Sequence, residues 1–310
     1  MQIRWHFAII GATWVLSHDR LEDDGFMQHL IWDFSPEIFK LGSFAPRYYG
    51  LMFAIGFMVG YSITQKIFVH ENRDIEDLSS LLFHIMVGTI VGARVGHCLF
   101  YEPEYYLQHP LEILYVWRGG LASHGGTIGV LLALWLYKRK HADQGYVWLA
   151  DRLAIGTAFT ACCIRIGNFF NSEILGKPSD APWAIIFASN GDMVPRHPAM
   201  LYEAAAYLLL FFTLLTLYWK TNAGQVKGRL IGLMLAWIFT ARFFIEFVKE
   251  NQVPFENGMV LNMGQLLSIP FIIIGILLAS GKLVEWLPWM DTTTEPPKKP
   301  TTAALKTSKK

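Results

Sequence analysis

The sequence is poor in charged residues. Asp, Glu, Lys and Arg make up 16% of its 310 residues, whereas soluble globular proteins carry roughly 25%. This deficit argues against an ordinary soluble domain and indicates that membrane lipid is the solvent. The net charge is only +1, and no continuous basic face is present, so we expect no nucleic acid partner.

Cysteine is scarce too, and Cys98, Cys162 and Cys163 all lie in apolar stretches. Such residues suit neither a secreted disulfide framework nor a cysteine-rich metal site, and we expect them to be small packing residues. The histidines are not spaced with carboxylates as a recognisable ligand set. The sequence therefore predicts no metal and no cofactor.

Long apolar runs dominate the chain. Those able to cross about 30 Å of hydrocarbon lie at 47–68, 78–101, 119–138, 150–171, 199–219, 229–249 and 263–287. The predicted fold is all-α, a polytopic membrane helix bundle of about seven transmembrane helices, with six or eight left open. Basic residues are concentrated in alternate loops and in the tail, which predicts an outside N-terminus and a cytoplasmic C-terminus.

Three segments are expected along the chain. Residues 1–26 are either an N-terminal extension or a mis-assigned start, because their apolar run is too short to span a bilayer. Residues 27–288 form the transmembrane domain, and 289–310 lack the apolar residues of an ordered segment and should form a disordered cytoplasmic tail. Prolines and aromatic rings in 101–117 predict a segment that lies flat at the membrane interface.

Several polar side chains lie inside the apolar runs, where they are costly and usually functional. They are Arg94, His97, His124, Arg165, Asn168, Arg242 and Glu246. In the predicted orientation all of them fall toward the outer leaflet, so we expect one polar cavity there. The spacing of Arg165 and Asn168 lets them share a helix face, as does that of Arg242 and Glu246.

Each of these residues also has an ordinary structural explanation. Arg242 and Glu246 could be a self-neutralised helix pair, and His124 could cap a helix start. Arg165 has no acidic residue within four positions on its own helix, and a guanidinium matches a phosphate, so it is the better anion-site candidate. A transporter or channel and a structural or assembly subunit are the alternative classes.

The most specific stretch is CIRIGNFFNSEILG, residues 163–176. It resembles the signature G-R-x-G-N-F-x-N-x-E-x-x-G of prolipoprotein diacylglyceryl transferases, with Ile164 in place of the leading glycine. That departure alters a close helix contact and removes no reactive group. Further motifs in the family's order lie at 47–52, 92–97, 117–126, 196–203 and 241–247.

The resemblance implies a bacterial cytoplasmic (inner) membrane enzyme, with its active site toward the outer leaflet, that performs the first step of lipoprotein maturation. Such an enzyme transfers the sn-1,2-diacylglyceryl group from phosphatidylglycerol to the lipobox cysteine of a prolipoprotein signal peptide. The product is a thioether, and glycerol phosphate is released. The partners implied are phosphatidylglycerol, prolipoprotein signal peptides and membrane lipid.

Family residues carried over by position fall into three groups. The catalytic residues implied are His124, Arg242, Tyr49 and Glu246, and the phosphatidylglycerol-binding residues are Arg165, Asn168, Glu173 and Gly176. A second tier comprises Arg94, Arg196, His197, Tyr202 and Glu203. We hypothesise that His124 takes the thiol proton, that Arg165 binds the headgroup, and that Arg242 is a second cation oriented by Glu246. Asn168 and Tyr49 could hydrogen-bond glycerol or phosphate oxygens.

Overall fold

A computed structural model describes residues 4–6, 12–15, 29–41, 45–116, 119–120, 122–141, 143–250 and 258–290. The helices are α1 (Tyr48–His70), α2 (Ile75–Phe100), α3 (Pro103–Gln108), α4 (Ser123–Lys140), α5 (Tyr146–Phe170), α6 (Ala199–Lys220), α7 (Arg229–Ile245), α8 (Met263–Ala279) and α9 (Lys282–Trp286). The strands are β1 (Arg4–His6), β2 (Ala12–Val15), β3 (Leu30–Trp32), β4 (Ile185–Phe187) and β5 (Pro195–Arg196).

Long apolar helices confirm the predicted polytopic membrane fold. Five segments of the described chain are long and apolar enough to cross a membrane, namely α1, α2, α5, α6 and Arg229–Val248, and α8 is a shorter apolar helix. The run at 119–138 corresponds to α4, which ends in Lys138, Arg139 and Lys140. The last predicted run is too long, because α8 ends at Ala279 and α9 follows separately. Orientation across the membrane stays a prediction.

The segment boundaries predicted from the sequence also stay predictions. Strands β1 and β2 lie inside 1–26, most of which is outside the described residues. The expected tail, 289–310, is outside the described residues except for Trp289 and Met290. The predicted interfacial segment contains α3 and a 3-10 helix at Pro110–Leu114.

The chain divides into two compact units. The first comprises Met1–Ile63 and Asp151–Trp286, and the second comprises Thr64–Ala150 and Leu287–Lys310. In the first unit, α1 lies against α5, where a Cβ on Gly56 would lie 2.9 Å from Thr160 Cα. Small residues allow such close helix contacts in lipid, where the hydrophobic effect gives no force between helices.

A buried carboxylate connects α5 to the start of α7 within the first unit. Asp151 accepts hydrogen bonds from the backbone amides of Gly228, at 2.7 Å, and Ile231, at 2.9 Å. These amides belong to the first turn of α7, where backbone donors have no partner in the helix. Asp151 therefore caps α7 from another helix, which fixes the end of α7 opposite to Arg242.

A small sheet follows the order β1-β2-β3-β4-β5 and was not predicted. Only β3 and β4 pair in parallel, and the other neighbours are antiparallel. Its buried core contains Trp32, Ile185 and Phe187, against which Phe169 and Phe170 from the end of α5 pack. The sheet therefore supports the segment that carries the signature motif.

In the second unit, α2 and α4 cross through glycines. A Cβ on Gly92 would lie 2.5 Å from the Gly125 carbonyl oxygen, and one on Gly96 would lie 2.7 Å from Gly125 Cα. No larger residue fits at this crossing without moving the backbone. This contact fixes the first turn of α4, which carries His124.

Candidate active site

Arg165 and Asn168 lie one turn apart near the C-terminal end of α5 and share a helix face, as their spacing predicts. Arg165 Nη1 donates to Asn168 Oδ1 at 3.1 Å, and Asn168 Nδ2 donates to Glu173 Oε1 at 2.6 Å. A guanidinium only donates and a carboxylate only accepts, so the two partners determine the orientation of the Asn168 amide. Glu173 thus orients Arg165 through Asn168.

Arg165 also forms an ion pair that the sequence analysis missed. Its Nε lies 2.5 Å from Oε2 of Glu203, a residue of α6 whose side chain is fully buried. Spacing within one helix reveals only acidic residues of that helix, so it could not find this pair. Arg165 is held by Glu203, by Asn168 and by a hydrogen bond with the Tyr207 hydroxyl.

Lys249 lies between two buried carboxylates. Its Nζ is 3.5 Å from Glu203 Oε1 and 3.6 Å from Glu246 Oε2, and the Lys249 side chain is only 4% exposed. The start of α8 lies close to this cluster, since a Cβ on Gly264 would lie 2.7 Å from Glu246 Cδ. The prediction that Glu246 pairs with Arg242 is therefore wrong: within the described residues, Glu246 forms its ion pair with Lys249.

Arg242 is half-buried near the end of α7. Within the described chain its guanidinium makes no ion pair and no hydrogen bond. The buried Tyr207 hydroxyl interacts electrostatically with Arg165, Glu203 and Arg242, so these side chains belong to one neighbourhood. Arg242 is thus a cation beside the cluster whose charge is not balanced by a carboxylate contact.

Tyr49, in the first turn of α1, packs against the same part of α5. A Cβ on Gly167 would lie 2.8 Å from a ring carbon of Tyr49. The phenol also interacts electrostatically with Glu173 and Arg165. Glycine at position 167 is therefore needed to bring the Tyr49 ring beside the signature residues.

Gly176 has a packing role in the structure. Its amide donates to the His197 carbonyl at 2.9 Å, and it forms an isolated bridge with Lys249. A Cβ here would lie 2.5 Å from His197 Cβ and 2.8 Å from the Val248 carbonyl oxygen. Gly176 thus allows its own segment to lie against the segments of His197 and Val248. A direct contact of Gly176 with phosphatidylglycerol stays a prediction.

Arg196 is occupied by acidic partners. Its Nη2 lies 2.7 Å from Asp192 Oδ2, and its Nη1 lies 3.2 Å from Glu250 Oε2. The hydrogen bond to Asp192 and the nearby charge of Glu250 raise the pKa of Arg196 above its ordinary value. Arg196 therefore stabilises the loop around β5 and is less available for a substrate than Arg242.

His197 and Tyr202 are joined through the Tyr202 hydroxyl. Trp183 Nε1 donates to this oxygen at 2.8 Å, and His197 Nδ1 lies 3.0 Å from it. An indole only donates, so the tyrosine oxygen accepts from Trp183. The same hydroxyl is shared with His197 Nδ1, in a direction set by the imidazole tautomer.

His124 belongs to the second unit and lies exposed in the first turn of α4. Its ring packs against Phe100 and Tyr101, with centroid distances of 5.5 and 5.7 Å. The N-cap is Ala122, and no side chain caps this helix. His124 is therefore not a capping residue, which removes the structural alternative raised by the sequence.

Arg94, also in the second unit, is a structural arginine. It is 4% exposed, and its guanidinium donates to the backbone carbonyls of Glu112, Ile113, Gly119 and Gly120. These bonds fasten the segment between α2 and α4 to α2. Arg94 shapes its unit and has no donor directed at an open site in these contacts.

Two residues of the first-unit cluster were not singled out from the sequence, Lys249 and Tyr207. Tyr207 follows Glu203 by one helical turn in α6, and Lys249 follows Glu246 closely, so spacing alone could have suggested both. No group of three or more His, Cys, Asp and Glu that could hold a metal occurs among the described residues.

Comparison with known proteins places the chain in a family. The family model described as prolipoprotein diacylglyceryl transferase matches residues 36–280. Similar proteins named phosphatidylglycerol–prolipoprotein diacylglyceryl transferase occur in Tolumonas auensis, 51% identical with 80% of this chain and 96% of the relative covered, and in Chloroherpeton thalassium, 46% identical with 81% and 93% covered. A relative in Bacteroides fragilis is 47% identical, with 79% and 92% covered. The chain is therefore a multi-pass membrane protein that belongs to the prolipoprotein diacylglyceryl transferase family.

Proposed function

We propose that this chain transfers the sn-1,2-diacylglyceryl group of phosphatidylglycerol to the lipobox cysteine of prolipoproteins. The observation that carries the proposal is the charge distribution of the first unit. Arg165 and Lys249 pair with Glu203 and Glu246, Glu173 is joined to Arg165 through Asn168, and Arg242 is the cation beside them that makes no ion pair in the described chain. An anionic phosphodiester is the natural complement of this arrangement.

The reaction exchanges a thiol for a phosphate leaving group. The cysteine sulfur forms a bond to the glycerol carbon that carries the phosphate ester, and the bond between that carbon and the ester oxygen breaks. The thiol proton passes to a base, and glycerol phosphate leaves with an additional negative charge. Cations that contact the phosphate therefore stabilise the transition state more than the ground state.

Arg242 is the proposed principal phosphate ligand. Its guanidinium has no carboxylate partner in the described chain and so can give its paired donors to phosphate oxygens. Arg165, predicted as the headgroup residue, contributes in this proposal a guanidinium that Glu203, Asn168 and the Tyr207 hydroxyl already hold in place. Because these contacts orient Arg165 before substrate arrives, little reorganisation is needed.

Tyr49 and Asn168 have narrower proposed roles. The Tyr49 hydroxyl lies in the electrostatic neighbourhood of Glu173 and Arg165, and it can donate to a glycerol or phosphate oxygen. The polar atoms of Asn168 are engaged by Arg165 and Glu173, so we assign Asn168 to orienting Arg165.

His124 is the proposed base for the thiol. Imidazole is well suited to accept a proton near neutral pH, and a thiol needs deprotonation to become a strong nucleophile. The support from the second unit is local: His124 is exposed and held by the packed first turn of α4. Its matched position in the family motif WRGGLASHGG is the other support.

The location of the reaction is part of the proposal. We assign the chain to the bacterial cytoplasmic (inner) membrane, with the active site toward the outer leaflet, the N-terminus outside and the C-terminus in the cytoplasm. The richer basic content of alternate loops supports this orientation. Cysteine-accessibility labelling of single cysteines placed near Lys140 and Lys177 should show opposite sides, and labelling from the same side would refute the orientation.

Purified protein, phosphatidylglycerol and a lipobox peptide provide the direct test of function. Wild type should release glycerol phosphate and increase the peptide mass by one diacylglyceryl group, whereas Arg242→Ala should do neither at a comparable rate. Arg139→Ala, which removes an arginine stacked on Trp135, is the matched control and should stay active. Folded wild type that gives neither product would refute the transferase, and flux of ions or lipid in liposomes would then favour a transporter.

A further inference from the structure

Within the described chain, Lys249 is the residue that forms ion pairs with both buried carboxylates of the site cluster. Glu203 comes from α6, and Glu246 begins the 3-10 turn after α7. Both carboxylates are at least nine-tenths buried, and neither Glu203 oxygen has an aligned hydrogen bond in the described chain. Their charges are therefore compensated mainly by Arg165 and Lys249.

The backbone holds Lys249 in this place. Lys177 N donates to the Val248 carbonyl at 2.8 Å, and Glu250 N donates to the Leu175 carbonyl at 3.3 Å. These bonds pair the segment around Lys249 with the last residues of the signature motif. The ammonium group is thus fixed relative to Glu203 and Glu246 by main-chain contacts on both sides of Lys249.

If Lys249 were absent, Arg242 could form an ion pair with Glu246. They are four residues apart, so a modest side-chain rotation could bring an arginine and a carboxylate together. A buried carboxylate without a counterion is strongly unfavourable, and Arg242 is the nearest cation along the chain that makes no ion pair with another described residue. Capture of Arg242 by Glu246 would remove the cation proposed to bind phosphate.

We propose that Lys249 is a positioning residue that occupies Glu246 and thereby keeps Arg242 available to the phosphate of phosphatidylglycerol. Through Glu203 the same ammonium also helps to hold Arg165. This inference rests on the proposed function for the identity of the anion. It assigns Lys249 an effect on lipid affinity without contact between Lys249 and the reacting atoms.

The charged groups around Lys249 define the expected result of its loss. Glu203 from α6 retains Arg165, whereas Glu246 loses its only ion-pair partner in the described chain. Lys249→Met should therefore weaken binding of phosphatidylglycerol about tenfold, the equivalent of one good charged contact. Lys249→Arg restores a cation at this position and should recover affinity to within about threefold of wild type.

The double variant Lys249→Met/Glu246→Gln separates positioning from folding. It removes one cation and one carboxylate, so Arg242 has no ionised competitor and affinity should return to within about threefold of wild type, as judged by the usual scale of tenfold per charged contact. If Lys249 merely stabilises the fold, Lys249→Met should lower Tm while the folded protein binds phosphatidylglycerol with the affinity of wild type. Lys177→Met is the matched control, because the Lys177 side chain is exposed and, within the described chain, hydrogen-bonds only the Phe247 carbonyl, while its backbone amide is unchanged by the substitution.

The measurement is the dissociation constant for short-chain phosphatidylglycerol in detergent, with thermal unfolding recorded for each variant. Should Lys249→Met not fold, the double variant decides the question: affinity near that of wild type supports positioning, and a loss as large as that of Arg242→Ala overturns it. Turnover of wild type tests the proposed function separately. Wild type that binds the lipid without transferring it would refute the transferase. The affinities of the Lys249 variants would still test whether Lys249 positions Arg242.

Discussion

Replacement of Glu203 by glutamine tests the buried charge cluster most severely. Glutamine keeps the shape of the side chain but removes the charge that faces Arg165 at 2.5 Å and Lys249 at 3.5 Å. Removal of one partner from a buried ion pair typically costs about 3–5 kcal/mol. Because the glutamine oxygen can still accept a hydrogen bond from Arg165, we expect a cost near the lower limit, about 3 kcal/mol.

Thermal unfolding in detergent should detect this change. At about 2–4 °C per kcal/mol for a chain of this size, Glu203→Gln should lower Tm by roughly 6–12 °C. Glu104→Gln, which changes an exposed glutamate in α3, should stay within about 0.5 kcal/mol of wild type. The activity of Glu203→Gln should also fall, since a neutral amide holds the Arg165 guanidinium less firmly than the carboxylate does.

A Tm of Glu203→Gln equal to that of the control would refute the reasoning. It would mean that Glu203 is uncharged in the folded protein or that the two cations are stabilised elsewhere. A second result would strengthen the argument: Lys249→Met in the Glu203→Gln background should cost less than Lys249→Met alone. Contacting charges are expected to give such non-additive effects in a double-mutant cycle.

Three further predictions concern separate parts of the chain. Asp151→Ala should destabilise the protein by about 3 kcal/mol, measured by thermal unfolding, because two buried amides at the start of α7 lose their acceptor; an unchanged Tm would contradict this. Arg165→Lys should keep a contact with Glu203 but lose the hydrogen bond to Asn168, so kcat/KM should fall about tenfold or more for a lost charged hydrogen bond, and wild-type kinetics would refute its proposed role. His124→Gln should lose turnover while phosphatidylglycerol affinity is unchanged, and near-normal turnover would end its assignment as the base.

The sequence predicts the helices well because lipid imposes a strong and local rule. A spanning segment needs a long apolar run in which the helix satisfies its own backbone hydrogen bonds, and the runs containing α1, α2, α5 and α6 show it directly. The small sheet escapes this rule. Strands such as Leu30–Trp32 and Ile185–Phe187 are three residues long and far apart in the chain. They are too short to show the alternating pattern from which a strand is predicted.

The ion pairs show where helical spacing stops being informative. Arg165 and Glu203 lie on different helices, and no pattern within one helix reveals their contact. Arg242 and Glu246 have the spacing of a pair, but α7 ends at Ile245 and Glu246 begins a 3-10 turn. The Glu246 amide still donates to the Arg242 carbonyl, so these two residues keep helical spacing, but the 3-10 turn also brings residues three apart together. Lys249, three positions after Glu246, is accordingly the partner found.

The contrast between Arg94 and Arg242 explains how a functional arginine can be recognised in a membrane protein. Both lie in apolar helices and are equally costly by hydropathy. Arg94 donates hydrogen bonds to four backbone carbonyls of its own unit, so its guanidinium stabilises the fold. The Arg242 guanidinium has no such acceptor in the described chain, so it can donate to an external anion. Donors that find no acceptor among the described residues, more than the presence of an arginine in a membrane helix, therefore support the proposed role of Arg242.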